Sequence, residues 1–197
     1  PRKEFSAMDE LIDLIMHEGD FHPSEEVVRQ LLALGEEVHF GPKKAVIEFG
    51  HINRNVYIVK EGILRGVYFE KEKEETYGFA SPGTILLSPH SYYMNQPAVM
   101  QFETCKKGCT CIMVPKAKFD RLLVESHEFA RWMFDLAMWQ FYTSEKKLKY
   151  IKGDARERII AVLKYRPEIL EVVSARTLAS YIGVTEAYFC RIKKEIL

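Results

Sequence analysis

Polar and basic side chains near the C-terminal end of the chain have the chemistry of base and phosphate recognition. Arg191 carries a guanidinium that can donate two hydrogen bonds to guanine, and the carboxylate of Glu186 can accept one from cytosine. Hydroxyl groups at helix ends and neighbouring basic groups suit phosphate oxygens. The candidate nucleic-acid contacts are Ser174, Arg176, Thr185, Glu186, Tyr188, Arg191, Lys193 and Lys194. They form one surface only if the local structure presents them together.

The surrounding sequence predicts two short helices joined by a tight turn. Ser174 is suited to cap the first helix and Thr185 to cap the second. Between them, Gly183 can adopt the positive φ of the turn, and the small Ala179 lets the helices approach. The apolar anchors are Leu178, Ile182, Val184, Phe189 and Ile192. The set indicates a helix-turn-helix that enters the major groove by its second helix; the alternative is a helical hairpin with a solvated basic face.

A long run without glycine or proline precedes this motif and predicts one helix from Phe129 to about Lys152. Its length and aromatic content predict a parallel helix pair at a dimer axis; the alternative is a helix packed wholly on its own β domain. The expected interface residues are Phe129, Trp132, Met133, Leu136, Gln140 and Thr143. Gly153 and Asp154 then form a hinge, in which Asp154 can cap the next helix.

Short apolar segments separated by turn residues fill the chain from about Val38 to Pro115, after two short N-terminal helices. Many short strands at close spacing indicate an antiparallel sandwich or roll. We therefore predict an α+β fold: an antiparallel β-roll (a double-stranded β-helix or jelly roll), a long dimerisation helix and a C-terminal helix-turn-helix. The expected domains are residues 1–125, 126–152 and 153–197.

Composition constrains the class of protein. The 28 basic and 28 acidic residues cancel, so charge by itself does not indicate a nucleic-acid partner. No apolar run is long enough for a membrane span, and residues 1–20 lack the pattern of a secretory signal. Four cysteines without such a signal indicate free thiols in a reducing compartment, so we expect a cytoplasmic protein.

The order of these parts resembles the Crp/Fnr superfamily over nearly the whole chain. Residues 42–50 (PKKAVIEFG) and 55–64 (NVYIVKEGIL) look like the glycine-turn segments of its roll. Leu178-Ala179, Gly183-Val184-Thr185 and Arg191-Ile192-Lys193 look like its helix-turn-helix. The resemblance implies a sensor roll coupled to a DNA-binding transcription regulator.

The cyclic-nucleotide cassette of that family is altered in this chain. Members that bind cyclic AMP carry an acidic segment after the turn and an arginine that neutralises the phosphate. Here Leu86-Leu87-Ser88 and Gln96-Pro97-Ala98 occupy those places, so a buried phosphate would lack its cation. We expect no cyclic AMP binding in the usual mode. The equivalent loop either lines a pocket for another effector or fills it; its candidate residues are Ser88, His90, Tyr92, Tyr93 and Gln96.

The sequence supports a metal site or an enzyme less well than it supports a DNA-binding regulator. Cys109 and Cys111 would face the same side of a strand, but with Cys105 they lack the further ligands of a metal site, so ordinary thiols and no cofactor are expected. A cupin-type enzyme needs clustered histidines, whereas His39 and His51 are isolated. No catalytic constellation stands out, and we expect no enzyme.

Together these features predict a homodimeric, sequence-specific DNA-binding transcription regulator, controlled by an unidentified effector in the roll. The candidate partners are a palindromic DNA duplex, a second copy of the chain, a small-molecule effector and RNA polymerase, with no membrane. The alternative is a ligand-binding roll whose helical tail mediates protein contacts.

Overall fold

A computed structural model describes residues 6–70, 73–151 and 153–196. Its centre is a roll of two antiparallel four-stranded sheets. The first sheet has the order β1 (Glu36–Phe40), β8 (Cys109–Pro115), β3 (Asn55–Glu61) and β6 (Ile85–Leu86). The second has the order β2 (Ala45–Ile47), β7 (Gln101–Thr104), β4 (Leu64–Glu70) and β5 (Lys73–Ala80). The predicted α+β fold with an antiparallel β-roll is therefore confirmed.

Helices flank the roll at both ends of the chain. α1 (Ala7–Met16) and α2 (Glu25–Ala33) precede it, and α3 (Pro89–Met94) lies between β6 and β7. After the roll come α4 (Lys116–Glu125), α5 (His127–Ile151), α6 (Ala155–Tyr165), α7 (Pro167–Val172), α8 (Ala175–Ile182) and α9 (Glu186–Ile196). Among the described residues, no helix is both long and apolar enough to cross a bilayer.

Both faces of the first sheet are covered, as β3 shows. Val56 and Ile58 are fully buried on one face, in a cluster with the N-terminal helices, α4 and the start of α5. Tyr57 and Val59 point to the opposite face and pack between the two sheets. Because both faces are apolar, β3 reads as a continuous hydrophobic run in the sequence.

The face of α5 predicted to form a dimer packs on its own roll instead. Phe129 and Trp132 are both 0% exposed, and the Phe129 ring lies 5.1 Å from Phe119 and 5.8 Å from Trp132. Met133 and Leu136 are partly buried against the same cluster. Assigning Phe129 and Trp132 to an intersubunit interface was therefore wrong, because the protomer itself removes them from solvent. Gln140 and Thr143 follow on the same side of the helix, by their spacing.

A second apolar stripe lies on the opposite side of α5. Phe134, Met138, Phe141 and Tyr142 are 64%, 49%, 61% and 44% exposed. Their spacing of four, three and one residues places them on one face of the helix. The sequence analysis assigned the interface to the side of Phe129 and Trp132 and did not identify this second apolar side of the helix. Lys152, the expected end of this helix, lies outside the described residues.

The C-terminal helices rest on the second sheet. The backbone N–H of Thr76 in β5 donates to Oγ of Ser180 in α8 at 3.0 Å, and the rings of Phe79 and Tyr181 meet edge to face at 5.2 Å. Ile63, at the start of the β4 hairpin, is buried in the hydrophobic cluster of the C-terminal helices. The helix-turn-helix is thus in contact with the roll.

Glu18 joins the N-terminal helices to the roll. Its Oε2 accepts a hydrogen bond from the backbone N–H of Ile85 in β6 at 3.2 Å. Burial raises the pKa of this carboxyl from 4.5 to about 7, although hydrogen bonds from Ile85 and Thr84 oppose the shift. The folded protein therefore holds this proton more tightly than the unfolded chain does.

Replacing Glu18 with Gln should remove a pH-dependent loss of stability. Because the folded-state pKa is raised, the stability linked to protonated Glu18 is complete below about pH 4.5 and is lost as the pH rises through about 7. The free energy of unfolding of Glu18→Gln, relative to that of the wild type, should therefore increase by about 3 kcal/mol as the pH rises from about 4.5 to about 7. Urea unfolding at a series of pH values measures this difference. Asp20→Asn, at an exposed neighbouring carboxyl, serves as the control, and a parallel response of both variants would contradict the assignment.

Candidate nucleic-acid interface

The turn between α8 and α9 is built by two caps and one glycine. Oγ of Ser174 accepts the N–H of Thr177 at 3.1 Å, and Oγ1 of Thr185 accepts the N–H of Tyr188 at 3.3 Å. Gly183 follows α8 with φ 75°, the left-handed conformation that favours glycine. The predicted caps and turn residue therefore lie where the sequence placed them.

A compact apolar core fixes the angle between the helices. Leu178, Ala179 and Ile182 of α8 and Phe189 and Ile192 of α9 are all at most 4% exposed. Arg156 of α6 pairs with Glu195 of α9 at 3.6 Å and adds a surface link. A rigid support of this kind keeps the outer face of α9 in a defined orientation.

The outer face of α9 carries two cations, one anion and one methyl group. Glu186, Ala187, Arg191 and Lys194 are exposed on the side away from the core. Arg191 has its guanidinium carbon 5.1 Å from the centre of the half-buried Tyr188 ring, which restricts its position. The sequence analysis did not identify Ala187, although its position four residues before Arg191 places both residues on the same face of the helix. Its methyl group suits contact with the methyl group of thymine.

The remaining candidates lie at the edges of this surface. Arg176 and Thr185 are exposed near the N-terminal ends of α8 and α9, where backbone N–H groups favour phosphate. Lys193 is half-buried and lies beside the outer face rather than on it. The hydroxyl of Ser174 is engaged by Thr177, whose Oγ1 is 2.8 Å away, so its evident role is to hold α8. Contact of any of these residues with DNA remains a prediction.

The candidate effector residues do not converge on one cavity. Ser88 caps α3, the short helix that replaces the predicted loop. His90 Nδ1 lies 2.7 Å from the carbonyl oxygen of Pro97, Tyr92 donates to Asp120, and Tyr93 is 86% exposed. Gln96 is exposed, and its carbonyl oxygen accepts from Ser91.

The space between the two sheets is occupied by the protein's own side chains. Tyr57, Leu64 and Cys111 are among ten buried residues that pack together there. A surface depression of about 490 Å³ lies elsewhere, between the start of β3 and the start of α4, and Asp120 contributes to its lining. A ligand between the sheets would therefore require these side chains to move.

Two of the roll's cysteines are packed in this core. Sγ of Cys109 and Sγ of Cys111 lie 3.6 Å apart, which confirms that they face the same side of β8. The hydrogen bond to Cys111, together with burial, raises the pKa of Cys109, and burial raises that of Cys105 to about 11. The thiols of Cys105 and Cys109 are therefore protonated at neutral pH. Within residues 6–70, 73–151 and 153–196, no group of three or more metal-ligating side chains is close enough to hold a metal ion.

Solved structures share this architecture at low sequence identity. FixK2 from Bradyrhizobium japonicum aligns with a TM-score of 0.72 and 15% identity, covering 82% of this chain and 84% of that one. The c-di-GMP responsive global regulator CLP of Xanthomonas campestris gives 0.67 and 16%, covering 88% and 91%. The Thermus thermophilus catabolite activator protein gives 0.58 and 14%, covering 93% and 86%.

Comparison by sequence alone finds no match. No protein-family model matches the chain, and no curated protein matches it significantly. These three solved structures are Crp/Fnr regulators, so the chain has the fold of that family, as the sequence resemblance implied.

Replacing Gly183 with Ala should destabilise the C-terminal domain through backbone strain. Among the described residues, nothing lies within 4 Å of where a Cβ at this position would stand, so the cost comes from φ and not from a clash. We expect a loss of about 1–2 kcal/mol for Gly183→Ala and a smaller loss for Gly183→Asn, because Asn tolerates this conformation. Chemical unfolding of both variants tests this. Equal losses would show that the turn does not keep its left-handed conformation.

Proposed function

We propose that this chain is a sequence-specific DNA-binding transcription regulator that acts as a homodimer. The observation that carries the proposal is the exposed face of α9, where Glu186, Ala187, Arg191 and Lys194 stand on a capped and tightly packed helix-turn-helix. Arg191 would donate to guanine, Glu186 would accept from cytosine, and Lys194 would contact phosphate. The fold shared with known regulators supports the same role.

The exposed stripe of α5 supports dimerisation. Phe134, Met138 and Phe141 present an apolar surface that a second copy of the helix can cover by symmetric parallel packing. Such a pair would hold two α9 helices on one side of the dimer. The DNA site would then be a palindrome with half-sites about one helical turn apart.

We assign residues 1–125 to the sensor unit, 126–152 to the dimer helix and 153–197 to the DNA-binding unit. The effector of the sensor unit is a molecule other than cyclic AMP. The filled space between the sheets supports this, as does the absence of the phosphate-binding arginine from residues 96–98. One structural neighbour is named for its response to a different nucleotide, c-di-GMP.

The α5 helix is suited to carry an effector signal to α9. Its Lys147 donates to the carbonyl oxygen of Tyr77 in β5, and its ammonium lies 5.4 Å from the ring centre of Tyr181 in α8. Repacking of α5, or rotation of the C-terminal helices about Gly153, would change both contacts.

Selection from a randomised duplex pool tests the proposed function. The purified, ligand-free protein is incubated with the pool, and the retained duplexes are sequenced. An enriched palindrome is the expected result. A dimer that shows no salt-sensitive duplex binding, with or without a small-molecule ligand found by thermal-shift screening, would overturn the proposal in favour of a tail that contacts proteins.

Replacing Arg191 with Ala should weaken specific binding and relax base preference. Loss of a two-bond contact to guanine costs about 1–3 kcal/mol on the selected site. Titration of the selected and a scrambled duplex measures the difference, and Lys164→Ala on α6 is the matched control for a lost cation. An equal loss on both duplexes would make Arg191 a phosphate contact.

Replacing Phe134 and Phe141 together with Glu should separate the protomers. Four carboxylates would then meet at the proposed helix pair, where the wild type buries aromatic rings. We expect monomers in analytical ultracentrifugation at concentrations where the wild type is dimeric. Val124→Glu changes an 87% exposed apolar residue on α4 and should leave the dimer intact. A dimeric Phe134/Phe141 double variant would show that another surface pairs the protomers.

A further inference from the structure

Two thiols on β8 converge in the core between the sheets. Residues two apart on a strand are separated by about 6.8 Å along the chain, yet Sγ of Cys109 and Sγ of Cys111 lie only 3.6 Å apart. Both side chains therefore lean toward the same point. They are 1% and 0% exposed and belong to the hydrophobic cluster that fills the roll.

A third thiol stands at the other end of the adjoining turn. Cys105 begins the turn that leads into β8 at Cys109, and it is half-buried, so solvent reaches it more readily than it reaches the pair. Burial raises the pKa of Cys105 to about 11, and the charge of Cys109 adds to the rise, which indicates that these two thiols are neighbours. Cys105 packs against the hydrophobic cluster of the C-terminal helices, whereas Cys109 and Cys111 pack inside the roll. The three thiols thus lie on both sides of the boundary between the two clusters.

The separation of the paired sulfurs selects the kind of centre that they can hold. With a bond of about 2.3 Å to each sulfur, a linear centre needs sulfurs about 4.6 Å apart, whereas a bond angle of about 100° needs about 3.5 Å. The observed 3.6 Å between Cys109 and Cys111 fits the second case. Tetrahedral zinc has a similar angle but requires two ligands beyond the pair, whereas a pyramidal centre with three bonds requires one.

The charge balance of the site favours trivalent arsenic as that pyramidal centre. Cys105 and Cys109 are protonated thiols at neutral pH, and the core around the pair is apolar, so a charged complex would be costly. Arsenite, As(OH)₃, condenses with three thiols to give As(SR)₃ and three molecules of water. Three S–H and three As–O bonds break, three As–S bonds form, the thiol protons leave in the water, and arsenic stays trivalent. The product is neutral, as an apolar core requires.

We propose that Cys109 and Cys111, completed by Cys105, bind arsenite, and that arsenite is the effector read by the roll. The first part stands on the geometry of the thiols, whereas the second rests on the proposed function. Because no group of three ligating side chains is preformed among the described residues, Cys105 must move toward the pair. That movement withdraws it from the cluster of the C-terminal helices, which also includes Ile63 of the roll. Arsenite thereby alters the support of the helix-turn-helix and lowers its affinity for DNA.

X-ray absorption at the arsenic edge tests the site on the reduced wild-type protein with one equivalent of arsenite. Three sulfur neighbours per arsenic are the expected result. In equilibrium dialysis, Cys109→Ala/Cys111→Ala should lose arsenite, while Cys190→Ser, which removes a thiol outside the site, should keep one per protomer. A spectrum with oxygen neighbours only, or binding lost in Cys190→Ser and kept in the double variant, would overturn the proposal. The wild-type spectrum decides the matter even if the double variant does not fold.

Titration of the selected duplex tests the effector role. Arsenite should weaken binding by the wild type about 5–150-fold, the usual range of coupling between two sites. Cys105→Ala should keep arsenic on two sulfurs and lose this effect. An unchanged wild-type affinity with arsenite bound would show that arsenite is not the effector, while the proposed function stands. If the protein holds arsenic on three sulfurs but binds no duplex, the proposed function and the effector role fail together, while the arsenic site stands.

Discussion

The burial of Phe129 and Trp132 against the roll sets the direction of α5, and the arrangement of the other parts depends on that direction. Their rings fill the cluster formed by the N-terminal helices, the first sheet and α4. The backbone N–H and the hydroxyl of Ser24 donate to the carboxylate of Glu128 at 2.6 and 3.0 Å, and the N–H of Phe21 donates to Asp135. These bonds hold α5 in the same orientation. With one side of the helix held in this way, the stripe around Phe134 and Phe141 has to face outward.

Lys147 is the point at which the roll, the long helix and the helix-turn-helix meet. Its ammonium stands 3.9 Å from the ring centre of Tyr77 and donates to the carbonyl oxygen of the same residue, and it lies 5.4 Å from the ring centre of Tyr181. Burial lowers the pKa of Lys147 to about 8, because removing an ammonium from water disfavours its charge. The cation is retained by carbonyl and aromatic partners from two different parts of the fold, so a shift of either part changes its surroundings.

Apolar and cationic side chains are concentrated in different regions of a chain that has no net charge. Tyr57, Cys109 and Cys111 fill the space between the sheets with apolar and thiol groups. The outer face of α9 carries exposed cations, whereas Arg65 is neutralised by Glu74 and Glu103, each at 3.2 Å. A neutral protein can thus present local basic surfaces to a polyanion without a general excess of positive charge.

Local signals in the sequence determined the helix-turn-helix and the strands. Ser174, Thr185 and Gly183 act within a few residues of their own positions, so caps and turn could be predicted, as could the alternation of short strands. The short helices α3 and α7 were missed, because each has only six residues and no room for a periodic pattern. Only the tertiary structure decided which apolar side of α5 is buried, since Phe129 and Phe134 are equally hydrophobic and differ solely in facing the roll or solvent.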